Sequence, residues 1–421
     1  MNEEFDAEAY LRKLREELEK LEEIFNQNFD DDKFRILKVC LAVKAQMLIE
    51  GITLPFFLIV IGRPSGSKTT ILGCIEVLPD CIKTYNITAK SFVSHVANTK
   101  KEDLEGKIDL LPRIKDKTLI TPELGTMFSE REDKLLSTLG ILTSILDGKG
   151  YRSESGVHGS RGYDDDHYFT WIGAIPNLSD HLLKTLGNLG PKIYFLDLND
   201  KELADEEEAQ KILEAITGKN YAERLAEAQQ QTKVCWNVIE SYVRQNGKIK
   251  WDEGKNDAKT IEKIVSCAIL LSKLRVPIHY ERSFFEKGVQ MEVGNREFPS
   301  RAATSLINIA RGHAVTYGRN YLMEDDLEVV FYVALSSAFK NRARGLRALL
   351  ENGGEINTQQ IMEQLKVSRQ TALNIIRELV AVEIAEISSQ TGTTKPISVL
   401  RLREYFRWML EDKYKKYWKK P

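Results

Sequence analysis

The sequence predicts an α/β protein with a parallel sheet, followed by a helical region and a C-terminal region of short helices and strands. The apolar run LPFFLIVIG at 54–62 is rich in β-branched and aromatic residues, which is typical of a strand buried on both faces of a parallel sheet. Strand-like and helical segments then alternate as far as residue 200, and such alternation indicates a parallel sheet. Two strand-like segments, AEISS and ISVLRLR, close the C-terminal pattern.

The remaining elements follow the same patterns. Two N-terminal helices are predicted at 8–26 and 33–50, the first with an apolar stripe at three-to-four spacing. From 201 to 345 the pattern predicts an all-helical second domain. Further strands are expected at 82–88, 117–121, 169–175 and 192–198.

The 421 residues, 42% of them hydrophobic, are enough for two or three domains with packed cores. No run of eighteen apolar residues occurs, and the N-terminus is charged throughout, so we expect a cytoplasmic protein with no membrane partner. The predicted segments are an N-terminal helical segment at 1–50, an α/β core at 51–200, a helical lid domain at 201–340 and a C-terminal domain with a basic tail at 341–421.

Charge and cysteine content exclude some classes of function. A net charge of −2 argues against a protein that coats nucleic acid indiscriminately. The ending EDKYKKYWKKP is basic and is either a solvated tail or a phosphate contact. The cysteines lack metal-ligand spacing, so we expect reduced core residues. They are Cys40, Cys74, Cys81, Cys235 and Cys267.

A phosphate-binding loop follows the first apolar run directly. The segment GRPSGSKT has the spacing of a Walker A motif, in which a glycine-containing loop joins a strand to a helix that begins with lysine and a hydroxyl residue. In such a loop the backbone N–H groups face the phosphates, Lys68 reaches the β- and γ-phosphates, and the Thr69 hydroxyl ligates Mg²⁺. We therefore expect ATP and Mg²⁺ as ligands. The predicted nucleotide-binding residues are Gly62, Arg63, Pro64, Ser65, Gly66, Ser67, Lys68, Thr69 and Thr70.

One position departs from the strict motif, because Ser67 stands where glycine usually precedes the lysine. A serine there is still small. A chance glycine-serine turn is the alternative interpretation. The strand, loop, lysine, hydroxyl and helix fall in register, which favours the phosphate loop.

An acidic residue follows the predicted strand in KTLITPELG. A phosphate-loop ATPase needs such a residue at the end of a neighbouring strand to hold the metal and orient the attacking water. The usual Asp-Glu pair is replaced here by Pro122 and Glu123, so a single carboxylate is present. Glu123 is predicted to be a metal ligand, a water-orienting base, or both, and the alternative is a plain surface glutamate.

The next strand, FTWIGAIPN, places the polar side chain of Asn177 at its tip, where it can contact the γ-phosphate or the attacking water. Before that strand lies a glycine-punctuated stretch with strand-like flanks, which predicts a β-hairpin with a basic tip. A solvent loop is the alternative. The basic residues expected to bind DNA are Lys149, Arg152, His158 and Arg161.

The segment from 341 to 400 predicts a winged helix-turn-helix. Asn357 or Thr358 caps its second helix, and Ser368 caps its third. The third helix exposes residue types suited to phosphates and base edges, although such domains also serve as protein-contact modules. The candidate DNA-binding residues on it are Arg369, Gln370, Asn374 and Arg377.

The order of these motifs, from GRPSGSKT through TPE, the hairpin, IPN and LGPK to a helical lid and a winged helix, resembles that of AAA+ ATPases. More specifically, it is similar to the minichromosome-maintenance (MCM) helicases and to related ATPases of phages and mobile elements. Their phosphate loops also tend to carry a small non-glycine residue before the lysine, which suits Ser67. The resemblance covers roughly residues 50 to 345.

This resemblance implies roles for several residues. Asn177 matches the sensor 1 position, and the insertion at 148–168 matches the presensor hairpin that reaches into a central pore and touches DNA. Lys192 stands where an arginine finger is expected, although lysine offers a point charge rather than a fork. Arg301 fits the place of sensor 2, with Arg296 as the runner-up. A salt bridge at a helix terminus is the alternative for either arginine.

Three functions stay open on the sequence. The first is an ATP-dependent DNA helicase or translocase that acts in replication as a ring-shaped homo-oligomer such as a hexamer. The second is an ATP-switched DNA-binding initiator or regulator that does not unwind DNA, which the single Glu123 and Lys192 favour. The third is an AAA+ remodelling or defence ATPase whose winged helix contacts protein.

Overall fold

The structure is a computed structural model. The chain divides into two compact units. The first unit comprises Met1–Leu178, Lys192–Asp257 and Asn308–Val329, and the second comprises Ser179–Pro191, Ala258–Ile307 and Val330–Pro421. The division into four domains predicted from the sequence stays a prediction. The described residues are 7–29, 31–64, 67–94, 107–129, 131–155, 159–189, 192–198, 206, 209–210, 213, 217, 220–282, 289–390 and 397–418.

Strands and helices are numbered in chain order over the described residues. The strands are β1 Phe56–Ile61, β2 Cys81–Lys83, β3 Thr118–Thr121, β4 Tyr151–Ser155, β5 Gly159–Tyr163, β6 Thr170–Ile175, β7 Ile193–Asp197, β8 Ile278–Arg282, β9 Val289–Val293, β10 Glu355–Asn357, β11 Ala385–Gln390 and β12 Ile397–Leu402. The helices are α1 Ala7–Asn28, α2 Asp31–Ala45, α3 Lys68–Glu76, α4 Leu110–Ile114, α5 Gly125–Phe128, α6 Glu132–Ile145, α7 Asp180–Leu189, α8 Tyr221–Asn246, α9 Ala258–Leu274, α10 Ser300–Thr316, α11 Leu327–Ser336, α12 Lys340–Glu351, α13 Thr358–Leu365, α14 Arg369–Ala381 and α15 Asp412–Trp418.

A five-stranded parallel sheet forms the centre of the first unit, in the order β2-β3-β6-β1-β7. This confirms the predicted α/β class with a central parallel sheet. Every residue of β1 and β6 is buried, as their continuous apolar sequences require. The rings of Phe57 and Trp171 stack across these two strands with centroids 3.9 Å apart. Since all five strands run the same way, the loops that follow β1, β3 and β6 meet at one edge of the sheet.

The N-terminal helices belong to the packing of this unit. Leu14, Leu18, Leu21 and Phe25 are buried, which confirms the apolar stripe predicted for the first helix, except at Leu11, which is 39% exposed. Helix α1 packs along α8, and α8 in turn packs on α3. The helix that begins at the phosphate loop is therefore supported from behind by a helical layer.

The second unit contains helices and two small antiparallel sheets. Strands β8 and β9 form a hairpin in which Ile278 lies opposite Val293. The predicted all-helical domain from 201 to 345 is therefore wrong over this stretch. Alternating apolar and polar residues in IHYER and VQMEV are the signal that the prediction missed.

The C-terminal part combines α12, α13 and α14 with an antiparallel sheet in the order β10-β12-β11. The two predicted caps are present, because the Asn357 side chain accepts a hydrogen bond from the Gln360 N–H and the Ser368 side chain accepts one from the Thr371 N–H. Strand β10 is an addition to the elements expected from the sequence.

The basic ending is folded as far as Trp418. Tyr414, Tyr417 and Trp418 are buried, and the Trp418 indole donates to the Met409 carbonyl at 2.8 Å. A solvated tail is therefore wrong for Asp412–Trp418, since the aromatic residues between the lysines pack into the unit. Among the described helices, none is both long enough and apolar enough to cross a bilayer.

Candidate functional site

The phosphate loop begins where β1 ends and closes where α3 starts. The Gly62 N–H donates to the Ile175 carbonyl at 3.3 Å, so the first loop residue is still tied to the sheet. A Cβ atom on Gly62 would lie 3.1 Å from the Leu198 Cβ, which leaves little room for a side chain. Arg63 and Pro64 are exposed, whereas Ser65 and Gly66 fall outside the described residues.

Lys68 is the first residue of α3 and is only 9% exposed. Its Nζ donates to the carbonyls of Gly62 at 2.5 Å and Arg63 at 2.6 Å. The loop's own oxygens thus hold the ammonium beside the loop. Phosphate oxygens can replace these neutral acceptors with charged ones, which form stronger hydrogen bonds.

Ser67 adopts the left-handed conformation, with φ 64° and ψ 9°. Glycine reaches this region without steric cost, whereas a side chain there costs about 1 kcal/mol or more. This is a physical reason for glycine before the lysine in the strict motif. Ser67 keeps that backbone geometry in spite of its side chain.

The two threonines after Lys68 face different environments. Thr69 is exposed, so its hydroxyl is accessible at the start of α3. Thr70 is buried, and its hydroxyl lies 2.8 Å from the Tyr221 hydroxyl at the start of α8. The geometry therefore favours Thr69 as the metal-side hydroxyl and assigns Thr70 a contact between helices.

Glu123 and Asn177 are exposed and follow β3 and β6. Strand β6 lies between β1 and β3, so the loop and Glu123 stand two strand spacings apart, or about 10 Å. That gap can hold a terminal phosphate, a metal ion and a water molecule. The Gly125 N–H donates to Glu123 Oε1 at 3.0 Å, which orients the carboxylate.

Lys192 is already engaged within its own unit. Its Nζ donates to Asp147 Oδ1 at 2.6 Å and to the Thr143 carbonyl at 2.7 Å, near the end of α6. A finger role would require both contacts to break. The ion pair with Asp147 makes the arginine-finger role implied by the resemblance less favourable for Lys192 than the sequence alone suggests.

Arg301 and Arg296 lie in the second unit. Arg301 is half-buried in the first turn of α10, and the Arg296 Nε donates to Ser272 Oγ at 2.8 Å. Their placement relative to the phosphate loop stays a prediction.

Strands β4 and β5 pair as the predicted hairpin, with Tyr151 opposite Tyr163. Two of the basic residues, Lys149 and Arg152, however, lie near its base rather than at its tip. Lys149 precedes β4 and forms an ion pair with Asp166 at 3.1 Å, and Arg152 pairs with Asp164. The sequence signal for this neutralisation was the acidic run that follows β5.

Arg161 and His158 are the other two candidate DNA-binding residues of the hairpin. Arg161 is half-buried on β5, opposite Ser153, and His158 lies outside the described residues. The hairpin base is anchored to the core, because the Tyr163 hydroxyl donates to Asp109 Oδ2 at 2.8 Å. The hairpin thus projects from a fixed base.

Helix α14 presents a polar surface. Arg369, Gln370 and Arg377 are exposed, while Asn374 is half-buried. The Gln370 Nε2 donates to Asn374 Oδ1 at 3.0 Å, so these two amides form a pair along the helix. The arginines are the residues on this surface that can meet phosphates without first breaking a contact described here.

The cysteines form no site. Cys40, Cys74, Cys235 and Cys267 are buried, Cys81 is half-buried, and all five are free thiols. Among the described residues, no cluster of three or more acidic, histidine or cysteine side chains could hold a metal ion.

The sheet and the phosphate loop together define an α/β protein of the phosphate-loop kind. No protein-family model and no curated protein matches the chain. Solved structures similar to it include a candidate ATPase from Cytophaga hutchinsonii, with 13% identity, 88% of this chain and 97% of that chain covered, and a TM-score of 0.41. An MCM homolog from Methanopyrus kandleri has 11% identity, covers 80% and 64%, and has a TM-score of 0.41.

A third similar structure is the SCCmec type IV Cch active helicase, with 11% identity, 93% and 71% covered, and a TM-score of 0.33. Similarity this low supports no functional inference.

Proposed function

We propose that this protein binds and hydrolyses ATP with Mg²⁺ and uses that cycle to move along or unwind DNA, as an MCM-like AAA+ motor in replication. The observation that carries the proposal is the meeting of three features at one sheet edge. These are the phosphate loop after β1, Glu123 after β3 and Asn177 after β6. A buried lysine, an acid and an amide so arranged suit phosphoryl transfer to water.

Each residue has a distinct task in this proposal. Lys68 exchanges the carbonyls of Gly62 and Arg63 for the β- and γ-phosphate oxygens. Thr69 and Glu123 hold the metal side of the site, and Glu123 also orients the attacking water. Asn177 donates to the γ-phosphate or that water. Bound Mg²⁺ would supply positive charge to the developing phosphate oxygens.

DNA is assigned to two surfaces. The helices α12 to α14 with their three-stranded sheet are proposed to be a winged helix, whose α14 lies against DNA with Arg369 and Arg377. The β4–β5 hairpin is proposed as a second contact. A ring of identical subunits would place ATP between neighbours, and Arg301 or Lys192 would then complete a neighbouring site.

A non-unwinding, ATP-switched initiator is the second candidate, and a specific observation favours it. Lys192 is paired with Asp147, and Lys149 and Arg152 are paired with aspartates at the hairpin base. A motor would need Lys192 for the phosphate of a neighbouring subunit, and Lys149 and Arg152 for DNA. A switch that does not unwind DNA would not need them.

Strand displacement and ATP turnover on forked DNA separate these candidates. A motor predicts DNA-stimulated turnover together with displacement, both abolished in Lys68→Ala. ATP-dependent DNA binding without displacement would replace the motor by the switch. An ATP turnover rate that is the same with and without DNA would favour a remodelling ATPase whose winged helix contacts protein.

A further inference from the structure

A cavity of about 570 Å³ lies wholly within the second unit. Its walls come from the end of α9, from residues 296–299 before α10 and, nearer the C-terminus, from Glu383, Arg403, Tyr405 and Phe406. This volume is in the range of small-molecule sites. Apart from Arg296, the runner-up for sensor 2, none of its lining residues has a role in the function proposed above.

Two large aromatic side chains at this cavity are exposed. Phe298 is 82% exposed and Tyr405 is 54% exposed, although each lines the cavity. An exposed phenylalanine loses the free energy that burial of its ring would give. Exposed ring faces beside a cavity are suited to stacking with a flat ligand.

The charges around the cavity favour an anion. Lys273, Arg296 and Arg403 line it together with two acids, Glu297 and Glu383, so cations exceed acids by one. Lys273 Nζ lies 2.8 Å from a Glu383 carboxylate oxygen, and an Arg403 nitrogen lies 3.9 Å from the same oxygen. Glu383 is thus shared between two cations, and positive charge remains.

The cavity wall also holds a buried acceptor and a buried donor without hydrogen bonds among the described residues. They are Oε1 of Glu297 and Nε of Arg403. Burial raises the pKa of Glu297 above its ordinary value, against the opposing effect of Arg275, Arg296 and Arg301. Leaving such polar atoms buried and unsatisfied is unfavourable.

We propose that this cavity binds one unpaired nucleotide of a single-stranded nucleic acid. The base stacks on Phe298 and Tyr405, a base N–H donates to Glu297, and the phosphate accepts from Arg403. The inference rests on the nucleic-acid binding proposed above, but it assigns a site separate from α14 and the β4–β5 hairpin. A free mononucleotide presents the same chemistry and is the other source of ligand.

The test is fluorescence anisotropy of a short labelled oligothymidylate with the full chain, in EDTA and without ATP so that the phosphate loop takes no part. Phe298→Ala should weaken binding about tenfold, the usual effect of removing one base-stacking ring. Arg403→Gln should weaken it several-fold. Arg407→Gln is the matched control, because Arg407 is 42% exposed against 43% for Arg403 and lies one helical turn away in the same segment.

Binding by the control at the wild-type level, with both cavity variants weakened and melting temperatures unchanged, is the expected result. Wild-type affinity in Phe298→Ala and Arg403→Gln, or an equal loss in Arg407→Gln, would overturn the inference. If the cavity variants bind normally while the double variant Arg369→Ala with Arg377→Ala loses binding, the cavity is not a nucleotide site, and the proposed DNA function is still supported. No binding by the wild type would remove both. Displacement of the oligomer by AMP in the wild type, absent in Phe298→Ala, would identify the free nucleotide as the source.

Discussion

Ser67 holds a left-handed backbone conformation, with φ 64°, immediately before the phosphate-loop lysine. The motif and its spacing located the loop, and the departure at Ser67 was visible at once. The left-handed backbone at that position was not, because the sequence gives no dihedral angle. The same holds for Lys68. Its role in phosphate binding is predicted by the motif, but the two carbonyls that accept hydrogen bonds from its ammonium could not be predicted from the sequence.

Substitution of Ser67 by glycine should stabilise the protein. The φ of 64° carries a steric cost for serine that glycine avoids, so we expect a gain of about 0.5 to 1 kcal/mol in the free energy of unfolding. Urea denaturation measures it. Ser368→Gly is the control, because that N-cap serine has φ −63° and should gain nothing. An equal gain at both positions would contradict the explanation by backbone strain.

At the scale of elements, alternation and capping were predictive, whereas charge pairing was not. The Asn357 and Ser368 caps and the N-terminal apolar stripe follow from local chemistry and are present. The β8–β9 hairpin was missed because strongly helical segments flank it. The acidic run after β5 is a sequence signal that the basic residues of the β4–β5 hairpin can be neutralised, but which aspartate pairs with which cation depends on the fold.

The hairpin aspartates should weaken DNA binding if this element contacts DNA. The double change Asp164→Asn with Asp166→Asn frees Arg152 and Lys149 and removes two negative charges. We expect DNA to bind several-fold more tightly, with a steeper dependence on salt concentration. Asp133→Asn, an exposed acid on α6, is the control for net charge. Unchanged affinity in the double variant would mean that the hairpin base does not meet DNA.

The two exposed arginines of helix α14 are expected to contribute to DNA binding. Arg369→Ala and Arg377→Ala should each weaken DNA binding and lower the slope of log affinity against log salt by about 1, as loss of one phosphate contact does. Titrations at several salt concentrations measure the slope. Arg244→Ala, an exposed arginine on α8, should leave it unchanged. A protein-contact role for the C-terminal region would leave all three slopes equal.

At the scale of the whole molecule, the first unit contains a buried ionic cluster that joins the last turn of α10 to the segment before α11, within residues 313–326. Asp326, before α11, accepts two hydrogen bonds from Arg319 at 2.8 and 2.9 Å, and its Oδ1 lies 2.7 Å from His313 Nδ1 on α10. Burial alone would raise the pKa of Asp326, but the hydrogen bonds from His313 and Arg319 bring it below its ordinary value of 3.8. This cluster could not be predicted from the sequence, because its members are ordinary polar residues until the fold buries them in contact.

Because the pKa of Asp326 is lower in the folded protein than in the unfolded chain, its ionisation stabilises the fold above pH 3.8 and ceases to do so as the pH falls through the folded value. Asp326→Asn should therefore cost about 3 kcal/mol at pH 7, since it leaves Arg319 without its buried partner. Urea unfolding at pH 7 and below pH 4 measures the difference between variant and wild type. A difference that does not shrink in acid would contradict this account.

Glu123, which follows β3 at the same sheet edge as the phosphate loop, is proposed to support ATP hydrolysis. The most direct measurement is phosphate release from ATP by Glu123→Gln, beside wild type and Glu50→Gln, which alters an exposed glutamate elsewhere in the same unit. We expect turnover to fall at least a hundredfold in Glu123→Gln while ATP still binds, and to be unchanged in Glu50→Gln. Turnover by Glu123→Gln at the wild-type rate would contradict the account.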